Sequence, residues 1–166
     1  MTSEALRSAM RNFATGVCVA TTYAQDGAGR RHDAVTINSL TSVSLEPPLV
    51  AMCLRPDSGF LHDLLATKSW AVSILHGASD RVARAFAADR HTRAGALDDL
   101  PAAPGRQTGA LVLEAASWLE CMLWDHFDLG DHTMVVGEVV AAGAHDREAP
   151  LIFLHGRFHA LQEQMS

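Results

Sequence analysis

The sequence predicts a mainly β fold, in which an antiparallel, barrel-like sheet is covered by short helices. About seven segments rich in apolar and β-branched residues are separated by turns that contain Gly, Pro, Asn or Asp. Strand and helix signals do not alternate regularly, which argues against a doubly wound parallel sheet. At 166 residues the chain is long enough for one domain with a substantial core, so we expect a single domain over 1–166.

The predicted elements follow one another with clear boundary signals. Ser3 is a typical N-cap for a helix that runs to Phe13, and Ser58 and Asp80 begin two further helices. A hairpin turn is predicted over 25–29. Residues 89–109 are rich in Gly and Pro and predict a long surface loop. The predicted strands are 17–23, 32–38, 41–45, 49–54, 70–75, 110–125, 133–142 and 151–161, the last with a break allowed at Gly156.

Charge and composition exclude several classes of partner. Thirteen basic and nineteen acidic side chains give a net charge of −6, and no basic face is evident, so we expect no nucleic-acid partner. No apolar run approaches the roughly 20 residues that span a bilayer, and the start of the chain lacks a signal-peptide pattern. We therefore expect a cytoplasmic protein without a membrane partner. Cys18, Cys53 and Cys121 lie in apolar runs without metal-ligand spacing, which predicts buried, unpaired thiols.

The common nucleotide and metal motifs are absent. The chain has no GxGxxG after a strand and no GxxxxGK[ST], so a nucleotide would have to be held by another route. The segment 125–132 contains two His and three Asp around a glycine. We interpret it as a solvated turn or as the setting of a single functional residue, His132. A metal site there is the least favoured interpretation, and we predict none.

A polar segment between two apolar strands is the strongest functional signal. Most side chains over 36–44 carry a hydroxyl or an amide. Such side chains, together with free backbone amides at a strand crossing, can bind an oxygen-rich planar ligand. A Ser/Thr-rich strand edge without a ligand is the alternative.

Several motifs, in order, resemble the flavin reductase-like family. The segment from Asn38 to Val50, NSLTSVSLEPPLV, resembles the flavin-binding stretch of that family. The remaining matches occur in family order and extend over nearly the whole chain. They are FATGV at 13–17, AVSIL at 71–75, FA at 86–87, WLEC at 118–121, GDHT at 130–133, VGEV at 136–139, PLIF at 150–153 and GRF at 156–158.

The resemblance implies a fold, an activity and partners. The fold would be an FMN-binding split barrel, an antiparallel Greek-key barrel that forms a homodimer. The activity would be reduction of FAD or FMN by NADH, with NADPH the less expected donor. The reduced flavin would then diffuse to a separate flavin-dependent monooxygenase.

The resemblance also implies roles for residues. The flavin ring would be contacted by Thr36, Ile37, Asn38, Ser39, Leu40, Ser42 and Val43. The flavin phosphate would lie at Asp57, Ser58 and Gly59, assisted by Arg84 or Arg90. A helix N-terminus independently supports a phosphate there, provided that the Asp57 carboxylate points away. His132 would be the catalytic residue facing the nicotinamide, with Gly156, Arg157 and Phe158 beside it.

The sequence departs from the family pattern at two positions, and three alternative functions remain open. Ile37 and Leu40 replace the residues usual in the family, which leaves the preference between FAD and FMN open. A pyridoxamine-phosphate-oxidase-like enzyme would share the fold but needs a basic cluster. A non-catalytic flavin-binding or sensor module and a ligand-free interaction barrel are the other two alternatives.

Overall fold

The computed structural model describes residues 1–145 and 149–161. The helices are α1 Ser3–Met10, α2 Gly59–Thr67, α3 Asp80–Ala87 and α4 Arg90–Arg93. The strands are β1 Thr15–Gly16, β2 Cys18–Asp26, β3 Gly29–Ile37, β4 Thr41–Leu45, β5 Pro48–Leu54, β6 Ser69–Ile74, β7 Ala102–Pro104, β8 Leu111–Leu113, β9 Ser117–Leu129, β10 His132–Ala144, β11 Leu151–Leu154 and β12 Arg157–Ala160. No helix within these residues combines the length and the apolar composition needed to cross a membrane.

A seven-stranded sheet in the order β3-β2-β6-β9-β10-β5-β4 forms the body of the molecule, and its neighbouring strands pair antiparallel. A small sheet of β1, β11 and β12 and a ribbon of β7 and β8 complete the β structure. The prediction of a mainly β, antiparallel fold is therefore confirmed. Three of the six pairings in the main sheet, β2–β3, β4–β5 and β9–β10, join consecutive strands through two-residue turns.

Two hydrophobic clusters occupy the two faces of the β2–β3 hairpin. One contains Phe60 and Leu64 of α2 packed against Trp70 and Met52 of the sheet. The other joins the hairpin to Phe86 of α3. Alternation of side chains along β2 and β3 sends successive residues to opposite faces, so each strand contributes to both clusters.

Trp70 explains Gly137, one of the two glycines of β10. The indole is fully buried, and a Cβ built on Gly137 would lie 2.5 Å from its Cζ2 atom. The register of β10 against β9 shifts between Val136 and Gly137. Glycine is thus required at this point, where the tryptophan of β6 packs directly on the backbone of β10.

Several element boundaries differ from the sequence-based prediction. α1 is capped by Thr2, not Ser3, and ends at Met10. The predicted strand 110–125 is two strands, of which β9 continues to Leu129, so most of segment 125–132 is strand and the turn is only Gly130 and Asp131. The break at Gly156 is confirmed, because His155 and Gly156 form the turn between β11 and β12 with φ of 52° and 76°.

Two predictions about the middle of the chain were wrong. The segment 89–109 is not only loop, since it contains α4 and β7. Cys53 is exposed, whereas Cys18 and Cys121 are buried as predicted. The apolar run around Cys53 suggested burial, but the strand alternation turns this side chain away from the core occupied by its neighbours Met52 and Leu54.

Candidate functional site

A cavity of about 600 Å³ opens where β3, β5, α2 and α4 meet the tip of the β9–β10 hairpin. It is lined by Val35, Thr36, Ile37, Asn38, Ser39, Cys53, Leu54, Arg55, Asp57, Ser58, Gly59, Asp89, Arg90, Arg93 and His132. We call it the main cavity. It gathers residues from distant parts of the chain and falls in the size range of small-molecule sites.

One wall consists of the end of β3 and the polar residues that follow it. The Thr36 hydroxyl donates to the Ala83 carbonyl of α3 at 2.7 Å. The Ser39 hydroxyl accepts from the Cys53 backbone N–H at 3.0 Å and donates to the Cys53 carbonyl at 3.3 Å. These bonds fasten the segment to α3 at one end and to β5 at the other, so its backbone is held in place beside the cavity.

The floor of the cavity is the N-terminus of α2. Ser58 is the N-cap residue, and its hydroxyl makes no capping hydrogen bond to the helix. The first N–H groups of a helix have no acceptor within the helix, and the helix dipole adds partial positive charge there. The nine-residue α2 therefore presents donors for an anion at this point.

The Asp57 carboxylate is neutralised by the neighbouring Arg55. Arg55 donates from Nε and Nη2 to the two carboxylate oxygens at 3.1 and 3.0 Å. The pair is bidentate, which is the geometry preferred between guanidinium and carboxylate groups. The negative charge that seemed awkward beside an anion site is thus engaged by a cation.

Arg90 lies against the start of α2 and is held by two buried carboxylates. Its Nε is 3.3 Å from Asp33 Oδ2, and its Nη2 donates to Asp63. A Cβ built on Gly59 would overlap the guanidinium, so the glycine lets the arginine approach the helix backbone closely. Arg93 donates from Nε and Nη2 to Asp33 at 3.0 and 3.1 Å. We call Arg90, Arg93, Asp33 and Asp63 the arginine–aspartate cluster.

His132 lies at the hairpin tip and lines the cavity near Arg55 and Asp57. Its Nδ1 is 2.9 Å from Asp131 Oδ1, and the side chain is about half exposed. The hydrogen bond and the charge of His132 hold the pKa of Asp131 below its usual value. A carboxylate at Nδ1 favours the tautomer with the proton on that nitrogen, which leaves Nε2 as an acceptor while the imidazole is neutral.

The main cavity brings together nine of the residues expected from the sequence and leaves seven outside it. The nine are Thr36, Ile37, Asn38, Ser39, Asp57, Ser58, Gly59, Arg90 and His132. The seven are Leu40, Ser42, Val43, Arg84, Gly156, Arg157 and Phe158. Arg84 pairs with Asp80 at 3.6 Å and lies over the Phe158 ring.

The other six residues outside the main cavity lie in the core, on β4, or in and after the turn between β11 and β12. Leu40 packs against the core cluster around Trp70, and Ser42 and Val43 are exposed on β4. Gly156 lines a second, apolar cavity of about 540 Å³ that shares Asn38 and Ser39 with the first. Arg157 and Phe158 begin β12, where Phe158 packs on Phe153.

Sequence reasoning missed six lining residues: Val35, Cys53, Leu54, Arg55, Asp89 and Arg93. Arg93 stands three positions after Arg90, a spacing that puts both on one face of a helix. That signal was available, but no helix was predicted there. Within 1–145 and 149–161, no group of three or more His, Cys, Asp and Glu side chains is placed to share a metal ion.

Comparison with known proteins identifies the family. Residues 10–162 match the family described as "Flavin reductase like domain". The chain is 36% identical over 157 residues to an NADH-dependent FAD reductase of Streptomyces globisporus, covering 92% of this chain and 82% of that protein. It is 35% identical over 162 residues to the NADH-dependent flavin reductase StyB of Pseudomonas fluorescens, covering 95% and 89%.

Similarity to a solved structure supports the same family. BorF, the flavin reductase component of a bacterial two-component tryptophan halogenase, superposes with a TM-score of 0.86 at 38% identity. The superposition covers 98% of this chain and all of that one. The split-barrel prediction is confirmed by this similarity. The chain belongs to the flavin reductase-like family.

Proposed function

We propose that this protein is an NAD(P)H-dependent flavin reductase that reduces FAD or FMN with NADH and releases the reduced flavin to a partner monooxygenase. The main cavity carries the proposal. It combines a polar segment held by hydrogen bonds, a helix N-terminus with a neighbouring arginine, and a histidine at the tip of the β9–β10 hairpin.

The donor set of the cavity fits a flavin nucleotide. A phosphate needs hydrogen-bond donors and positive charge, and the start of α2 with Arg90 supplies both. A planar ring with carbonyl and imide edges needs a flat wall with polar groups, and residues 36–39 supply one. We propose that Leu40, Ser42 and Val43 extend the ring site beyond this wall.

In this reaction the nicotinamide supplies a hydride and the flavin accepts it, so the chain mainly binds and orients. Backbone amides near Asn38 and Ser39 donate hydrogen bonds toward the ring edge, which stabilises negative charge that develops there. His132, held by Asp131, orients the nicotinamide in the cavity. Gly156 lines the apolar cavity that shares Asn38 and Ser39 with the main one, and we propose that it contacts the nicotinamide together with the next two residues, Arg157 and Phe158.

The direct test is NADH consumption by catalytic amounts of protein with excess FAD or FMN. We expect many turnovers per protein with flavin present and none without it. Flavin binding without turnover, with either NADH or NADPH, would favour the sensor module or the oxidase-like enzyme. The relatives named as NADH-dependent FAD and flavin reductases support the reductase over both alternatives.

Cys53 is a native reporter of flavin binding. It is exposed and lines the main cavity, whereas burial raises the pKa of the Cys18 and Cys121 thiols to about 12. At pH 8 a thiol reagent should therefore label Cys53 alone. We expect saturating FMN to slow that labelling, and sodium chloride at equal ionic strength should have no effect. Labelling at an unchanged rate with FMN bound would place the flavin elsewhere.

The protein is also proposed to be a homodimer. Large apolar side chains are exposed on β9, where Trp124, Phe127 and Leu129 are each about half exposed, and on β4, where Leu45 is 84% exposed. Several large apolar side chains left exposed in this way are typical of an interface. Light scattering should give twice the mass of the chain, and Trp124→Glu should give the single chain.

Domain organisation and location complete the proposal. We propose that residues 1–166 form one functional domain. The three cysteines are free, which is typical of a protein that works in the reducing cytoplasm.

A further inference from the structure

A third cavity, of about 450 Å³, lies on the other side of the arginine–aspartate cluster. It shares Arg90 and Arg93 with the main cavity, so the two spaces meet at these arginines. We call it the rear cavity. The flavin site proposed above does not use the rear cavity.

The rear cavity is bordered by groups that suit a nucleotide. Arg30 and Arg31 follow the turn of the β2–β3 hairpin, and Leu97 and Leu111 supply apolar surface. The carboxylates of Asp26 and Asp98 add hydrogen-bond acceptors. Guanidinium groups bind phosphate and stack on aromatic rings, and carboxylates accept from ribose hydroxyls. This combination matches adenosine with a phosphate better than it matches an apolar or a purely anionic ligand.

His32 adds a neutral aromatic group to this lining. Burial, and secondarily the positive charge of Arg30, lower the pKa of its imidazole. Its ring packs edge-on against Tyr23 at 5.7 Å between centroids. Among the described residues its buried Nδ1 has no hydrogen-bond partner. A heteroaromatic base that offers donors and acceptors is a fitting neighbour for such a group.

We propose that the rear cavity binds the adenylate half of FAD, so that the protein favours FAD over FMN. The proposal rests on the proposed function, in which the flavin phosphate lies between the start of α2 and Arg90. A second phosphate then passes Arg90 and Arg93, and the adenosine enters the rear cavity. Its volume is within the range of ligand sites. FMN ends at the first phosphate and gains nothing from this space.

NADH carries the same adenylate chemistry, so the test has to separate the two sources. Ala94 is exposed, lines the rear cavity and does not line the main one. Ala94→Trp fills the rear cavity while leaving the arginine–aspartate cluster intact. Arg31→Ala removes a cation from the rear cavity. The control is Ala87→Trp, an exposed alanine at the end of α3 that lines neither cavity.

Each variant is assayed with FAD and with FMN at saturating NADH, and with varied NADH at saturating FMN. We expect Ala94→Trp to raise the KM for FAD by about tenfold, because the indole occupies space that the adenosine needs. The KM for FMN and the KM for NADH with FMN should stay within twofold of wild type. Arg31→Ala should act in the same direction, and Ala87→Trp should change none of the three. Thermal unfolding checks that each variant is folded.

Any other result contradicts the proposal, and the KM values that change show which assumption is wrong. An equal rise for FAD and FMN, or no rise for either, means that the rear cavity does not hold adenylate. A rise in the KM for NADH with FMN as acceptor assigns the rear cavity to NADH instead. If the wild-type protein turns over neither flavin, it is the reductase proposal that fails.

Discussion

Replacing Gly59 with alanine tests whether Arg90 acts from its position against the first turn of α2. The new Cβ would lie 3.1 Å from Arg90 Cζ and closer still to Nη1. The guanidinium therefore has to move by about 1 Å or more to reach ordinary van der Waals separation, which is ~3.5 Å. Its Nε is already 3.3 Å from Asp33, so that movement breaks or weakens the ion pair. No charge is added or removed.

The expected loss is in flavin affinity more than in folding stability. Alanine is a better helix residue than glycine, which offsets part of the cost of moving Arg90. Asp63 keeps two weaker neighbours, Arg31 at 3.8 Å and His62 at 3.5 Å. A hydrogen bond to a charged group contributes about 1.5–3 kcal/mol, so losing the one from Arg90 to phosphate weakens flavin binding by about 10- to 100-fold.

A double-mutant cycle, measured by fluorescence titration of FMN, gives the reasoning a direct test. If Gly59→Ala acts through Arg90, then Arg90→Ala should weaken binding by a similar factor and the double variant should be no worse than Arg90→Ala. The control is Gly16→Ala, because a Cβ at Gly16 meets nothing within 4 Å. Additive losses in the double variant would refute the link between the glycine and the arginine.

Three further changes probe other parts of the molecule. His132→Ala should raise the NADH KM or slow reduction while flavin affinity stays nearly intact, and an unchanged single-turnover rate in stopped flow would remove this role. Ser58→Glu should weaken FMN binding, because a carboxylate beside the proposed phosphate repels it, and should leave helix stability intact since acidic groups suit a helix N-terminus. Gly137→Ala should lower the Tm by about 5 °C, because overpacking against Trp70 costs about 1–3 kcal/mol. Gly16→Ala, with open space around it, should not lower it.

The sequence predicted the parts of the fold that depend on local pattern. Alternating and β-branched runs gave the strands, and Ser58 as a cap placed the start of α2 correctly. It did not predict α4, because Arg90–Arg93 is only four residues long and has no apolar periodicity. Element ends that depend on pairing, such as the extension of β9 to Leu129, also required the partner strand to be known.

For the candidate site, too, the residues of local motifs were predicted and the contacts between distant elements were not. Contiguous residues such as Thr36 to Ser39 and Asp57 to Gly59 were found because each group forms one motif. The carboxylates that hold Arg90 were not, because Asp33 and Asp63 lie on different elements and no short pattern links them to α4. Contacts between elements are decided by packing, which a single sequence does not display.

The charge balance of the arginine–aspartate cluster bears on how the flavin leaves. Two guanidinium groups face two carboxylates, so the cluster is neutral before any ligand arrives. A nucleotide phosphate is then bound by oriented hydrogen-bond donors and by the partial positive charge at the start of α2, and not by a net charge of the cluster. A neutral cluster of this kind orients a phosphate without binding it tightly. This suits a protein whose product must dissociate after every turnover.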